Sequence, residues 1–245
     1  MMLGNLRYRL PALTLFLPFL APKGAAEMFR QHMVLTQEKL AKRLDPDRSQ
    51  DHADFFAHLL RKGGDQVPEP ELRQQALTLI VAGSETTATC LTGLAYFLMK
   101  NSQCLDQLTH EIRTQFKSSK EITGKSVGDL KYLHTVIEEG LRMFPPAPFG
   151  LSRVCPVANI DGHLVPAGTT ISVDHWTTKH DPRYWADPMV FRPERWLDGG
   201  SQDVKEASQP FSLGPRACLG INLAYLEMRI ILAKMVFAYD WELIN

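Results

Sequence analysis

Phe211-Ser212-Leu213-Gly214-Pro215-Arg216-Ala217-Cys218-Leu219-Gly220 runs straight into an apolar stretch that reads as a helix from about Leu219 to Phe237. One cysteine therefore sits in a glycine-bracketed loop, two residues after an arginine, at the mouth of a helix. A helix N-terminus and a nearby guanidinium both favour thiolate over thiol. A glycine on either side lets a flat, bulky partner approach the backbone closely. The competing reading is a buried structural cysteine, which would need none of these surroundings.

The rest of the composition sets bounds. The chain has 245 residues, 44% hydrophobic and 22% charged, enough apolar material for one substantial core or two small ones. Its 27 basic and 27 acidic side chains balance, so there is no electrostatic reason to expect a nucleic-acid partner. Cys90, Cys104, Cys155 and Cys218 are scattered with no C-x-x-C pair. That argues against a zinc site or a disulfide framework and for a reducing compartment. Near the start, Arg7 and Arg9 precede an apolar run from Leu10 to Leu20, followed by Ala21, Ala25 and Ala26. In isolation this could be a secretory signal. Pro11 and Pro18 interrupt it, and it falls short of the about 20 residues a membrane helix needs. The segment reads better as an internal one.

Periodicity places a helix over Glu27–Leu44, broken at Asp45-Pro46. A short helix capped by Asp51, with Phe55, Phe56, Leu59 and Leu60, stops at Gly63-Gly64. A long, mostly apolar helix runs from Glu71 to about Met99 and would span roughly 40 Å. Asn101 or Ser102 caps the next, with Leu105, Leu108, Ile112 and Phe116 at helical spacing. A further helix covers Tyr132–Phe144 and ends at Pro145-Pro146. Ser152–Val154, Asn159–Val165 and Thr169–Val173 read as short strands, with turns at Asp161-Gly162 and Pro166-Ala167-Gly168. Residues 181–210 form an irregular coil. The fold class is mainly α with a small β-sheet.

Within the long helix lies Ala82-Gly83-Ser84-Glu85-Thr86-Thr87. A mid-helix glycine costs about 1 kcal/mol and two threonines add a few tenths each, so a kink is expected there. An incidental glycine and two threonines are the competing reading. Glu139 and Arg142 share one helix face, and alone would be an ordinary solvated pair. His175 and His180 are not assigned as metal ligands; His180-Asp181-Pro182 reads as a turn.

These motifs together resemble a known family. A lone thiolate presented as Cys218 is suits the axial position of a haem iron. F-x-x-G-x-R-x-C-x-G over residues 211–220 resembles the haem-binding signature of the cytochromes P-450. Ala82–Thr87 resembles that family's [AG]-G-x-[DE]-T-[TS] oxygen-activation motif. Pro193-Glu194-Arg195-Trp196 resembles its P-E-R-[FW] element. The resemblance implies haem b held by Cys218 as the iron's axial ligand, with Phe211, Gly214 and Gly220 shaping the loop. Arg216 and Arg153 would face the haem propionates, for which guanidinium geometry is suited. Glu85 and Thr86 would relay protons. Glu139, Arg142 and Arg195 would form a buried structural network.

By the same resemblance the chain is the C-terminal, haem-binding half of the cytochrome P-450 fold, fungal in flavour, with the N-terminal half absent. Residues 1–70 would be a helical lead-in and 71–144 the oxygen-motif helix and its successors. The sheet would occupy 145–180, the coil and cysteine loop 181–217, and the final helix and a strand start 218–245. The implied activity is insertion of one oxygen atom into an apolar small molecule, in secondary-metabolite biosynthesis. Electrons would come from an NADPH-dependent cytochrome P-450 reductase. The implied location is the cytosolic face of the endoplasmic reticulum membrane, or the cytoplasm if nothing anchors the chain. A truncated, non-catalytic haem-binding or vestigial protein is one alternative, and a haem-thiolate isomerase or dehydratase that needs no reductase is another. With half the fold missing, apolar residues of the long helix such as Leu77, Leu91 and Leu94 are expected to be partly exposed.

Overall fold

A computed structural model describes residues 24–45, 68–197 and 202–244. The apolar run Leu10–Leu20 and the short helix expected after Asp51 lie outside the described residues. The chain divides into two compact units, the first ending at Glu85 and the second beginning at Thr86. In the first, helix α1 spans Ala25–Leu44 and the opening part of helix α2 (Glu69–Lys100) follows. Thr36, Leu40, Leu72 and Ala76 are its buried side chains.

The second unit is built round helix α4 (Lys131–Met143), ten of whose thirteen residues are buried. A helix buried on so many sides must be central. The end of α2 packs on it through Cys90, Leu94 and Leu98, one residue per turn. Helix α3 (Ser102–Gln115) adds Leu108 and Ile112, and helix α6 (Ile221–Ala238) adds Met228, Leu232, Ala233 and Val236. Gly140 is needed where α4 meets α2. A side chain there would put its β-carbon 2.2 Å from a methyl of Leu94. Leu94 itself is fully buried, which overturns the exposure expected of it. Leu77 and Leu91 are half-buried. The chain's own helices α3, α4 and α6 supply the core that Leu94 enters, so it needs no further partner.

Helix α3 also serves its neighbours' ends. Its Glu111 carboxylate accepts the Tyr132 and Leu133 amides at 2.8 and 2.9 Å, satisfying donors that open α4. Its Arg113 donates to the Val236 and Tyr239 carbonyls at the end of α6 and pairs with Asp240 at 2.8 Å. No strand begins after α6 among the described residues.

Four short strands follow α4. Strand β1 (Arg153–Val154) pairs antiparallel with β4 (Thr170–Ile171), and β2 (Ala158–Ile160) with β3 (His163–Val165) through the Asp161-Gly162 turn. The region 145–180 is not all sheet: His175–His180 form a helix, α5. Asp174 caps it by accepting the Thr177 amide at 3.0 Å. The coil that follows is tightened by single 3₁₀ turns at Pro193–Trp196, Lys205–Ala207 and Gly214–Arg216. Helix α2 is helical through Gly83 without interruption. The Ser84 hydroxyl there donates to the Ile80 carbonyl at 2.7 Å, an addition to the helical bonding that leaves it unbroken.

Candidate functional site

The best-determined part of the site is a buried cluster of ions. Glu139 and Arg142 leave α4 on one face and are fully buried, which excludes a solvated pair. Arg142 donates Nη2 to Glu139 Oε1 at 2.7 Å and Nε to Oε2 at 2.9 Å, a two-pronged geometry that suits a carboxylate. Arg195, on the Pro193–Trp196 turn, donates Nε to the same Oε1 at 3.1 Å. The Glu139 carboxylate also accepts the Arg192 amide and the Trp196 indole N–H, both at 2.9 Å. Both arginines also donate to backbone carbonyls of α5 and the coil. Arg142 reaches Lys179, Pro188 and Val190, and Arg195 reaches Ala186, Asp187 and Val190. The buried Trp185 ring lies under both guanidinium groups, 5.1 and 5.9 Å from their carbons.

At the other end of the coil, Phe211–Gly220 form a tight loop. Ser212 and Gly214 take positive φ, 61° and 71°. Glycine adopts this at no steric cost, and serine bears some strain. The Cys218 amide donates to the Phe211 carbonyl at 2.8 Å and closes the loop, and the Gly220 carbonyl accepts the first α6 bond from Ala224. The helix thus starts at Ile221, with Gly220 as its cap. Phe211 is half-buried against the core, while Gly214, Arg216 and Cys218 are exposed. Cys90 and Cys155 are buried and Cys104 is half-buried, so Cys218 is the one exposed cysteine among the described residues. Burial pushes the Cys90 thiol up to about 12, an effect that nearby Lys179 opposes and Glu138 assists. It raises Cys104 as well. Neither is a nucleophile or ligand in that state.

Arg153 lies on β1, exposed, with one guanidinium nitrogen on the Ser152 carbonyl at 3.0 Å. Among the described residues neither Arg153 nor Arg216 has a carboxylate partner. Glu85 is exposed at the end of the first unit and Thr86 half-buried at the start of the second.

The donors fit haem and do not fit a metal ion held by protein alone. Among the described residues no three His, Cys, Asp or Glu side chains gather as a metal site. A single exposed sulfur suits an iron that brings four ring nitrogens of its own. A β-carbon at Gly220 would meet that sulfur only at ordinary contact distance, 3.9 Å. Arg153 and Arg216, which show no acidic partner among the described residues, suit a ligand's carboxylates.

Comparison with known proteins settles the family. A family model described as Cytochrome P450 matches residues 5–245. The chain belongs to the cytochrome P450 family. It is 44% identical to the cytochrome P450 monooxygenase BOA3 of Botryotinia fuckeliana, over 97% of this chain and 49% of that protein. It is 42% identical to the cytochrome P450 monooxygenase poxC of Penicillium oxalicum, over 97% of this chain and 51% of that protein. With btcC of Colletotrichum orbiculare the identity is 39%, over 92% of this chain and 45% of that protein. The chain spans about half the length of these relatives. Among the described residues no helix is long and apolar enough to cross a membrane.

Two parts of this P450's site were not foreseen. Asp203, in the coil, pairs with Arg195 at 2.6 Å, so two carboxylates balance two guanidinium groups and the cluster has four members. Its other oxygen accepts the Ala186 amide at 2.6 Å. The second is Lys179 on α5, fully buried, whose ammonium donates to the Leu141 carbonyl of α4 at 3.0 Å. Arg142 answers by donating to the Lys179 carbonyl at 2.8 Å, so the two helices clasp each other. Burial drives Lys179 down to about 7, with Arg142 adding to the effect and Cys90 and Glu138 opposing it. In sequence, a lysine between threonine and histidine carries no such signal. Asp203 could have been sought from charge balance alone, since a buried pair of arginines with one carboxylate leaves a charge uncompensated.

Proposed function

We propose that this chain is the haem-binding half of a P450 monooxygenase that inserts one oxygen atom into an apolar small molecule. The observation that carries the reading is Cys218: an uncovered sulfur on a loop closed by its own backbone, with Arg216 two residues before it. In this reading Cys218 would ligate the iron of haem b, and Arg216 and Arg153 would hold its propionates. Bound there, haem supplies the activation of dioxygen, with electrons from an NADPH-dependent cytochrome P-450 reductase. Phe211, Gly214 and Gly220 hold the loop open and in register. Glu85 and Thr86 would relay protons, and the Glu139–Arg142–Arg195 network fastens the coil that presents the loop. By family resemblance, the substrate would come from secondary metabolism and the protein would work on the cytosolic face of the endoplasmic reticulum membrane.

Spectroscopy of the haem-reconstituted chain tests the ligand. The reduced, carbon-monoxide-bound form is expected to show the red-shifted Soret band of thiolate ligation. Cys218→His should move the band to an imidazole-like position and Cys218→Ala should abolish it. Substitution of Cys90, Cys104 or Cys155 should leave it in place. A thiolate band that survives Cys218→Ala overturns the assignment.

A further inference from the structure

Tyr225 stands on α6, two turns past the cysteine. Its hydroxyl donates to Glu138 Oε1 on α4 at 2.6 Å. One side of its ring meets Phe211, centroids 5.1 Å apart, and the Arg229 guanidinium lies 5.3 Å from the ring centroid. His134 approaches Glu138 at 3.8 Å from the solvent side. Glu138 is thus largely covered, and its firmest hydrogen bond is the one from Tyr225. Phe211 in turn carries the carbonyl that receives the Cys218 amide at 2.8 Å.

We propose that Tyr225 is a positioning residue for Cys218: its hydroxyl, anchored on Glu138, fixes the ring against which Phe211 packs, and Phe211 fixes the cysteine. The proposal rests on Cys218 being the haem ligand only for its functional meaning, because the mechanical chain is internal to the protein. The chain needs both links. A phenylalanine at 225 would keep the packing and lose the anchor, leaving the ring free to rock about its own helix. Glu138 is the right anchor because it leaves the same helix as Glu139 and Arg142, which are immobilised by the buried ion cluster. The loop is thereby referred to the same rigid element as the coil that precedes it.

Amide hydrogen exchange on the full chain reads the link without any haem. In Tyr225→Phe and in Glu138→Ala, the Cys218 amide is expected to exchange about tenfold faster, the effect of removing one net hydrogen bond from a local opening equilibrium. Core amides at Ile137 and Leu232 should keep the parental rate, which separates positioning from general loosening. Glu138→Gln retains an acceptor oxygen and should rescue the parental rate at Cys218. In the haem-loaded chain, Tyr225→Phe should broaden the thiolate Soret band, whereas Glu138→Gln should not. Unchanged Cys218 exchange in both Tyr225→Phe and Glu138→Ala overturns the proposal, as does equal acceleration at Ile137 and Leu232. Failure of the ligand assignment has a different signature, since it shows only in the Cys218→Ala spectrum.

Discussion

Lys179→Met offers the sharpest test of how the buried polar groups are balanced. Lys179 is fully enclosed and its folded-state pKa is pushed down to about 7 from an ordinary 10.5, first of all by burial. Such a group binds fewer protons folded than unfolded between those two values, so stability must rise with pH across the window and sit at its floor below it. Integrating the linkage from pH 7 to pH 8.5 gives a rise on the order of 1–2 kcal/mol. The window avoids other groups that would blur it. His175 and His180, on the same helix, are lowered by burial and act below 6.5. Cys90 and Cys104, raised when folded, ionise in the unfolded chain only near 9.0. Tyr225 is raised, first of all by burial, and acts above 10.0. Methionine removes the titration and fills most of the volume, at the cost of leaving the Leu141 carbonyl without its donor. The desolvation relieved is about 4 kcal/mol at pH 7 and the orphaned carbonyl returns about 1–3, so a net gain on the order of 2 kcal/mol is expected. Urea titrations followed by tryptophan fluorescence suit the question, because Trp185 is buried beside this helix. A wild-type stability that is flat from pH 7 to 8.5, or a methionine variant that keeps the slope, refutes the reasoning.

Arg195→Ala strands Asp203 in the interior and takes one of two guanidinium partners from Glu139, and is expected to cost about 3–5 kcal/mol, seen as aggregation and failure to take up haem; soluble, haem-loaded protein would show the cluster to be dispensable. Gly140→Ala forces Leu94 aside at the α2–α4 contact, and a loss of about 1–3 kcal/mol in the same urea titration is expected; an unchanged midpoint would mean that α4 shifts without strain. Thr86→Ala and Glu85→Gln should leave haem uptake intact while diverting electrons to peroxide, with a coupling loss of about 10²-fold or more in a full-length background. Equal product per electron in both variants would end the proton-relay reading.

Helix order was readable from the sequence because the apolar spacing there is set by burial that the helices themselves provide. Leu108, Ile112 and Phe116 fall on one face of α3, and all three are buried. Strand signals were good for the same reason, since the Asp161-Gly162 and Pro166-Ala167-Gly168 turns dictate chain reversal locally. What escaped was fixed from far away. Helix α5 is six residues long and contains two threonines, a tryptophan and two histidines, all indifferent helix formers. It exists because Asp174 caps one end, Arg142 takes a carbonyl at the other, and Lys179 is drawn under α4. None of those bonds has a short-range signature. Glu139 and Arg142 could be named from their spacing, but the carboxylate that completes the cluster lies in a coil where composition says only that the chain is irregular.

The consequence for the site follows from helix geometry. Successive residues of α4 point about 100° apart, and five neighbouring positions are committed between them to four different parts of the second unit. Glu138 goes to Tyr225 on α6, Glu139 and Arg142 to the coil, Gly140 to Leu94 on α2, and the Leu141 carbonyl to Lys179 on α5. No one of them can shift without moving the helix, and the helix cannot move without disturbing all the others. The cysteine loop touches this hub only indirectly, through the ring of Tyr225 and the start of α6. Its exposed sulfur is therefore held by a stiff base and a soft front. That division is what a ligand-binding loop requires: the backbone is fixed by buried ions and packing behind it, while the face that carries the sulfur stays uncovered.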